Sequence, residues 1–226
     1  MITNPDTRYA FAEKYSAEHA MDYFNKHNVG IARKLSNYLE LQAAKKALAI
    51  ADYPQTVLDL PSGTGRFWQT LLTSAESVIA ADNSINMINA GLSLRAPSIT
   101  DKITTLHCSA FSITLPDNAV DSSFCIRLLH HIRDSADRIS ILKELARVSK
   151  ETVVISLWVD GNYKAYRRHL RDVKGLKPHK DKNRYVIPRT TIEADIQAAG
   201  LSVRDTVDHI KYYSMWRFYV LEKTQS

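Results

Sequence analysis

The chain has 226 residues, 45% hydrophobic and 24% charged, a balance that supports a buried core and excludes a disordered polypeptide. Lysine and arginine number 30 against 24 acidic residues, for a formal net charge of +6. No apolar run approaches the roughly 20 residues needed to span a bilayer, and the start, Met1 to Asp6, has neither the basic nor the apolar region of a secretory leader.

From about Thr7 to Lys26 the pattern is helical, with Phe11 and Tyr15 forming one i,i+4 pair and Ala20 and Phe24 another. The two pairs do not share a face, which predicts a break near Ser16. A second helix is expected from about Val29 to Ala51, striped by Ile31, Leu35, Tyr38 and Leu39 and stopped by Pro54. Strands and helices then alternate. Strands are expected at 56–60, 77–81, 103–108, 120–126 and 152–158, and helices at 66–73, 84–94 and 135–148. Asn83 or Ser84 suits the cap of the second of these helices. After a basic stretch at 161–189, a helix at about 190–199 ends at Gly200, which suits a C-terminal cap. Strands at 202–213 and 216–223, joined at Ser214-Met215, suit an antiparallel hairpin. The alternation predicts an α/β fold: a mostly parallel sheet with helices on both faces. Cys108 and Cys125 fall in expected strands without metal-ligand spacing, so no metal and a reduced cytoplasmic setting are expected.

The most informative segment is Val57-Leu58-Asp59-Leu60-Pro61-Ser62-Gly63-Thr64-Gly65-Arg66-Phe67. It is an apolar strand ending near an acid, then a tight loop with two glycines. Glycine lets the chain turn sharply and brings bare N–H groups against a ligand. A dinucleotide-binding loop would place a third glycine where Trp68 stands. The Asp59 carboxylate suits a ligand with a positive head. Asp82 follows Gly65 by 17 residues at the end of the second strand, where it can accept from two ribose hydroxyls or cap the next helix.

The loop resembles motif I of the class I S-adenosylmethionine-dependent methyltransferases, Asp-x-(Gly or Pro)-x-Gly-x-Gly, with Asp59, Pro61, Gly63 and Gly65 filling the pattern. A plain strand–turn–helix with glycines for geometry is the alternative reading. The resemblance is densest over about 55–158. It implies one methyltransferase domain over 1–226 with a Rossmann-like seven-stranded sheet, mostly parallel and closed by a C-terminal antiparallel hairpin. Residues 1–53 would be a helical lid and 161–189 a basic insertion over the acceptor site. The implied cofactor is S-adenosylmethionine. Asp59, Pro61, Gly63, Thr64 and Gly65 would hold its methionine portion and Asp82 its ribose, with Asn83 beside it. Met87 would pack on the adenine. Ser109 stands where many relatives have an aspartate, so adenine recognition would rest on Ala110 and Phe111. Arg127, at the end of the fourth strand, and Tyr15, from the lid, complete the expected cofactor set.

Arg127-Leu128-Leu129-His130-His131 follows the fourth strand, on the edge where open α/β sheets bind ligands. His131 or His130 could take a proton from an acceptor; both could equally be structural or contact the cofactor. Between Gly161 and Arg189, ten basic residues face two acidic ones, a local excess of +8 that leaves −2 for the rest of the chain. Arg167, Arg168, Arg171 and Tyr163 are the expected acceptor-binding residues, since arginine forks pair with phosphate and carboxylate. The expectation is O-methylation of a small anionic acceptor. A solvated loop is the plainer reading of this stretch. A nucleic-acid methyltransferase and a noncatalytic cofactor-binding module are the alternatives, the first disfavoured because about 30 residues make a small footprint for nucleic acid.

Overall fold

The computed structural model describes residues 31–175 and 183–224. The chain runs α1 (Ile31–Ile50), β1 (Thr56–Asp59), α2 (Trp68–Leu71), β2 (Ser77–Asp82), α3 (Ile85–Leu94), α4 (Pro97–Thr100), β3 (Ile103–His107), β4 (Val120–Ile126), α5 (Ser135–Val148), β5 (Ser149–Trp158), α6 (Tyr163–Val173), α7 (Arg189–Ala198), β6 (Leu201–Asp208) and β7 (Trp216–Lys223). The helices expected before residue 29, and Tyr15 with them, lie outside the described residues.

The seven strands form one sheet in the order β3-β2-β1-β4-β5-β7-β6. β1 to β5 are parallel, while β7 is antiparallel to both β5 and β6. The expected seven-stranded Rossmann-like sheet with an antiparallel ending is the one observed. Strand side chains alternate between its faces. Val57, Val78, Phe124, Val154, Phe218 and Val220 pack under α1 and α2 with Ala43, Ala44, Ala47, Leu48, Trp68 and Leu71. Their neighbours Leu58, Cys125, Val153, Ile155, Tyr219 and Leu221 pack on the other face, under Ile141, Leu142 and Leu145 of α5 and Ile192 and Ile196 of α7. Alanines on the inner side of α1 let its backbone approach the sheet closely.

Two elements differ from expectation. The helix expected at 66–73 shrinks to α2, because residues 63 to 67 remain in turns through the positive φ of Gly63 (55°) and Gly65 (69°). The strand expected to reach Tyr213 ends at Asp208. The chain then turns over seven residues, His209 to Met215, instead of two. That turn is closed by the N–H groups of Tyr213 and Ser214 donating to the Ile210 carbonyl and by Tyr212 at φ 60°.

The basic stretch builds α6, capped by Asn162, whose Oδ1 accepts from the Ala165 N–H at 3.0 Å. Its return leg crosses the carboxyl ends of β4 and β5. Tyr185 N–H donates to the His130 carbonyl at 2.8 Å, and Ile187 N–H to the Trp158 carbonyl at 2.9 Å.

Candidate active site

At the carboxyl edge of β1, β2 and β4 lies a cavity of about 210 Å³. The loop after β1 supplies Pro61, Ser62, Gly63 and Thr64, the end of β2 supplies Asp82 and Asn83, and α3 supplies Met87. Ala110 and Phe111 close a third side, and Arg127, His130 and His131 a fourth. Of the described residues expected around a cofactor, only Asp59 and Gly65 are missing from this wall; Tyr15 lies outside the described residues.

Asp82 organises the loop. Its Oδ2 accepts from the Gly63 N–H and its Oδ1 from the Ser84 N–H, both at 2.9 Å. Burial pushes its pKa up against those hydrogen bonds. Asp59 sits behind the loop and is 1% exposed. Burial, then the nearby Asp82 carboxyl, raise its pKa well above the usual carboxylate range. The Trp68 indole draws it partly back down, although Asp59 Oδ2 and Trp68 Nε1 both stay outside hydrogen-bonding geometry.

Trp68, in place of a third glycine, is fully buried under the loop and takes the room that two glycines leave. A Cβ on Gly65 would lie only 2.4 Å from its ring, and one on Gly91 would lie 2.8 Å from it and 3.1 Å from the Thr64 carbonyl carbon. Gly91→Ala should cost about 1–3 kcal/mol by overpacking, and Gly65→Ala more, because its φ of 69° adds backbone strain. Thermal melts of the two variants, with Gly65→Ala the less stable, check this order.

A buried ion cluster that sequence reading missed fixes the opposite wall. Glu40 of α1, 1% exposed, takes Arg66 at 2.5 Å and the Nε of Arg127 at 2.6 Å, with Arg127 Nη2 on its second oxygen. Arg66 also donates to Asn37 Oδ1 at 2.6 and 2.9 Å. Arg127 has a φ of 64° and lies 4.8 Å above the Trp216 ring. Burial pushes the Glu40 pKa up, but the two guanidiniums outweigh it and hold it at about 2. Nothing in the sequence marks this cluster, whose members are separated by 26 and 87 residues.

The paired histidines differ. His130 is buried, stacked on Trp158 with centroids 5.4 Å apart and edge-on to Trp216 at 4.8 Å. Burial, then the charges of His131, Arg184 and Arg127, depress its pKa well below the usual value, so it is neutral near pH 7. Its Nδ1 has no hydrogen-bond partner. His131 is half-exposed, and its Nδ1 lies 2.6 Å from the Asn183 carbonyl. Because a carbonyl only accepts, the proton sits on Nδ1 and leaves Nε2 of a neutral ring with a lone pair.

A second cavity, of about 890 Å³, lies along α6. It is lined by Tyr163, Tyr166 and Arg168 of α6, by Arg184 and Tyr185 of the return leg, and by Tyr212. Of the expected acceptor residues, Tyr163 and Arg168 reach it, while Arg167 and Arg171 are exposed elsewhere on α6. Arg184 belongs to the walls of both cavities. It and Arg168 stand over the Trp158 ring at 5.5 and 5.4 Å, and Arg168 Nη2 donates to the Arg184 carbonyl at 3.1 Å.

Among the described residues there is no group of three or more His, Cys, Asp or Glu side chains placed to hold a metal ion, and no helix long and apolar enough to cross a membrane. The first cavity has the features an adenosyl amino-acid cofactor requires. Two positive-φ glycines thin the loop, Asp82 accepts hydrogen bonds, Met87 and Phe111 present apolar flanks, and Ser62 has a buried hydroxyl with no partner.

Residues 58–157 match a family described as a methyltransferase domain. Magnesium protoporphyrin IX methyltransferase from Synechocystis PCC 6803, with bound S-adenosylhomocysteine, superposes with a TM-score of 0.73 at 14% identity, covering 95% of this chain and 99% of that one. The same enzyme with S-adenosylmethionine gives 0.69 at 13% identity, with 99% and 100% covered. The 1,6-didemethyltoxoflavin-N1-methyltransferase from Burkholderia thailandensis gives 0.66 at 17% identity, with 100% and 93% covered. At these identities the likeness to solved structures is one of fold. No curated protein sequence matches the chain.

Proposed function

The chain belongs to the class I S-adenosylmethionine-dependent methyltransferases, and from that premise we propose that it methylates a small molecule whose anionic group is held by Arg168 and Arg184. When bound, S-adenosylmethionine supplies a methyl already activated by its sulfonium, so the chain's contribution is alignment and exclusion of water. In this reading the Gly63–Gly65 loop brings bare backbone against the methionine portion. Asp82 receives the ribose hydroxyls on lone pairs that Gly63 and Ser84 leave open. Met87 and Phe111 flank the adenine, with Ala110 and Asn83 beside it. Asp59, buried behind the loop, acts on the loop and not directly on the ligand.

The observation that carries the acceptor reading is the position of Arg184 in both cavity walls. A molecule bound among Tyr163, Tyr166 and Arg168 can therefore extend past Arg184 toward the cofactor cavity. Residues 161–189 then act as the cover of the acceptor site. Two guanidiniums over one indole form a preorganised fork for a phosphate, phosphonate or carboxylate. An acceptor oxygen that is already ionised needs no base. For a neutral hydroxyl, His131 Nε2 is the group with a lone pair to receive the proton.

The test is release of S-adenosylhomocysteine over a panel of small phosphates, phosphonates and carboxylates. For a turned-over acceptor, Arg168→Met and Arg184→Met should each raise KM about tenfold or more, while Arg168→Met, outside the cofactor cavity, leaves the dissociation constant for S-adenosylhomocysteine within about twofold. Unchanged KM in both variants would sink the anionic reading. Turnover of nucleic acid with affinity falling steeply with salt would support the first alternative. Tight cofactor binding without turnover of any acceptor would support the noncatalytic one.

A further inference from the structure

Eleven large hydrophobic side chains are conspicuously exposed among the described residues, and six of them come from two short segments: Tyr163, Tyr166 and Val173 on α6, and Ile210, Tyr212 and Tyr213 in the turn between β6 and β7. The segments are neighbours. The N–H groups of Tyr163 and Lys164 donate to the carbonyls of Tyr212 and Tyr213 at 2.9 and 3.2 Å, and the Tyr163 and Tyr213 rings stack at 5.8 Å. On α6, Tyr163, Tyr166, Leu170 and Val173 recur at helical spacing and make one stripe. Val173 is 69% and Tyr212 74% exposed, so this is not the edge of a core. Contiguous exposed apolar surface on a folded domain marks an interaction site.

The stripe is bordered by cations. Lys164, Arg167 and Arg171 are exposed on α6, Lys174 just past its end, and Lys211 on the turn. Three of them sit on the aromatic faces: Lys164 on Tyr213 at 5.0 Å, Lys211 on Tyr212 at 5.1 Å and Arg167 on Tyr163 at 5.9 Å. Tyrosines and aliphatic side chains along one helical stripe, rimmed by lysine and arginine, form the pattern of a helix that lies in a membrane interface.

We propose that this face docks on the surface of a bilayer containing anionic phospholipid. The cations meet the negative surface potential, and the tyrosines, Val173 and Ile210 enter the boundary between headgroups and acyl chains. Nucleic acid accounts for the charges and the rings but gives Val173 and Ile210 no partner, whereas a bilayer gives one to every group on the face. Tyr163, Tyr166 and Tyr212 also line the larger cavity, so docking would bring the mouth of that cavity to the lipid.

The experiment is cosedimentation of the full chain with vesicles of phosphatidylcholine alone and of phosphatidylcholine with about 30% phosphatidylglycerol. The expected result is partitioning onto the anionic vesicles only, weakened by salt. Val173→Glu/Ile210→Glu and Lys174→Gln/Lys211→Gln lie outside the cofactor and acceptor walls. Each pair should lower partitioning by roughly tenfold or more with unchanged S-adenosylhomocysteine affinity, which also reports that the variants fold. No partitioning onto the anionic vesicles, equal partitioning onto both kinds, or full retention by both variants overturns the proposal. So does a duplex oligonucleotide that binds more tightly and strips the protein from vesicles, or a dimer in solution that the Val173→Glu/Ile210→Glu substitutions dissolve.

Discussion

Glu40→Ala is expected to destabilise the protein by about 3–5 kcal/mol, because it takes the shared carboxylate away from two guanidiniums in a buried setting. The effect should reach the cofactor cavity, since Arg66 and Arg127 both belong to its wall. Urea unfolding measures the first consequence, and titration with S-adenosylhomocysteine the second. Glu40→Gln keeps the shape but not the charge and should fall between wild type and alanine. Equal unfolding midpoints for wild type and alanine would show that the cluster contributes nothing. The same residue predicts a pH dependence. Its folded pKa of about 2 lies below its ordinary 4.5. Between those values the unfolded chain binds the proton and the folded chain does not. The stability Glu40 contributes is therefore complete above about pH 4.5 and is lost as the pH falls toward 2, amounting to about 3 kcal/mol. The wild-type stability curve should be steeper across that window than the Glu40→Gln curve. Other groups act alongside it. His130, with its depressed pKa, removes stability as the pH falls below about 6.5, while Asp59 and Asp82, with raised values, cost stability as the pH rises through them. Comparing wild type with Glu40→Gln isolates the one contribution.

Asp82→Ala is expected to weaken S-adenosylhomocysteine binding by at least about 100-fold. The substitution removes both oxygens that hold the Gly63 and Ser84 N–H groups, leaving the loop without its anchor and the proposed ribose contact without an acceptor. Asp82→Asn retains one oxygen and turns an amide donor toward one of the two N–H groups. Its loss should be smaller, about tenfold. Calorimetric titration of wild type and both variants checks the order. Equal affinities across the three would show that Asp82 only caps a helix. Such a result would also move the proposed cofactor cavity away from the end of β2, whatever the identity of the acceptor.

Much of the fold was legible because burial leaves a periodic record. β4 and β5 alternate their side chains between two helix layers. The loop at 59–65 was readable for the same kind of reason: positive φ at Gly63 and Gly65 restricts which residues can stand there. The strand expected over 202–213 stops at Asp208 because the chain turns back there, with the Ile210 carbonyl accepting from Tyr213 and Ser214, a closure that no strand-forming composition announces. Two of the three arginines chosen for the acceptor cavity do not line it. A run of charges tells nothing about which helical face meets the cavity, and that face was set by the docking of α6 on the β6–β7 turn.

The sequence by itself therefore determined the element order, the sheet's parallel character and closing hairpin, the glycine loop and the acid at the end of β2, since each rests on local backbone limits or on a repeat within one element. Only the tertiary structure decided that Glu40 bridges Arg66 and Arg127, that Trp68 occupies the space left by Gly65 and Gly91, that His130 is buried against two tryptophans, and that Arg184 stands between two cavities. These are pairings of groups far apart in the chain. Their energies depend on distance and desolvation after folding, and neither is written in any local pattern.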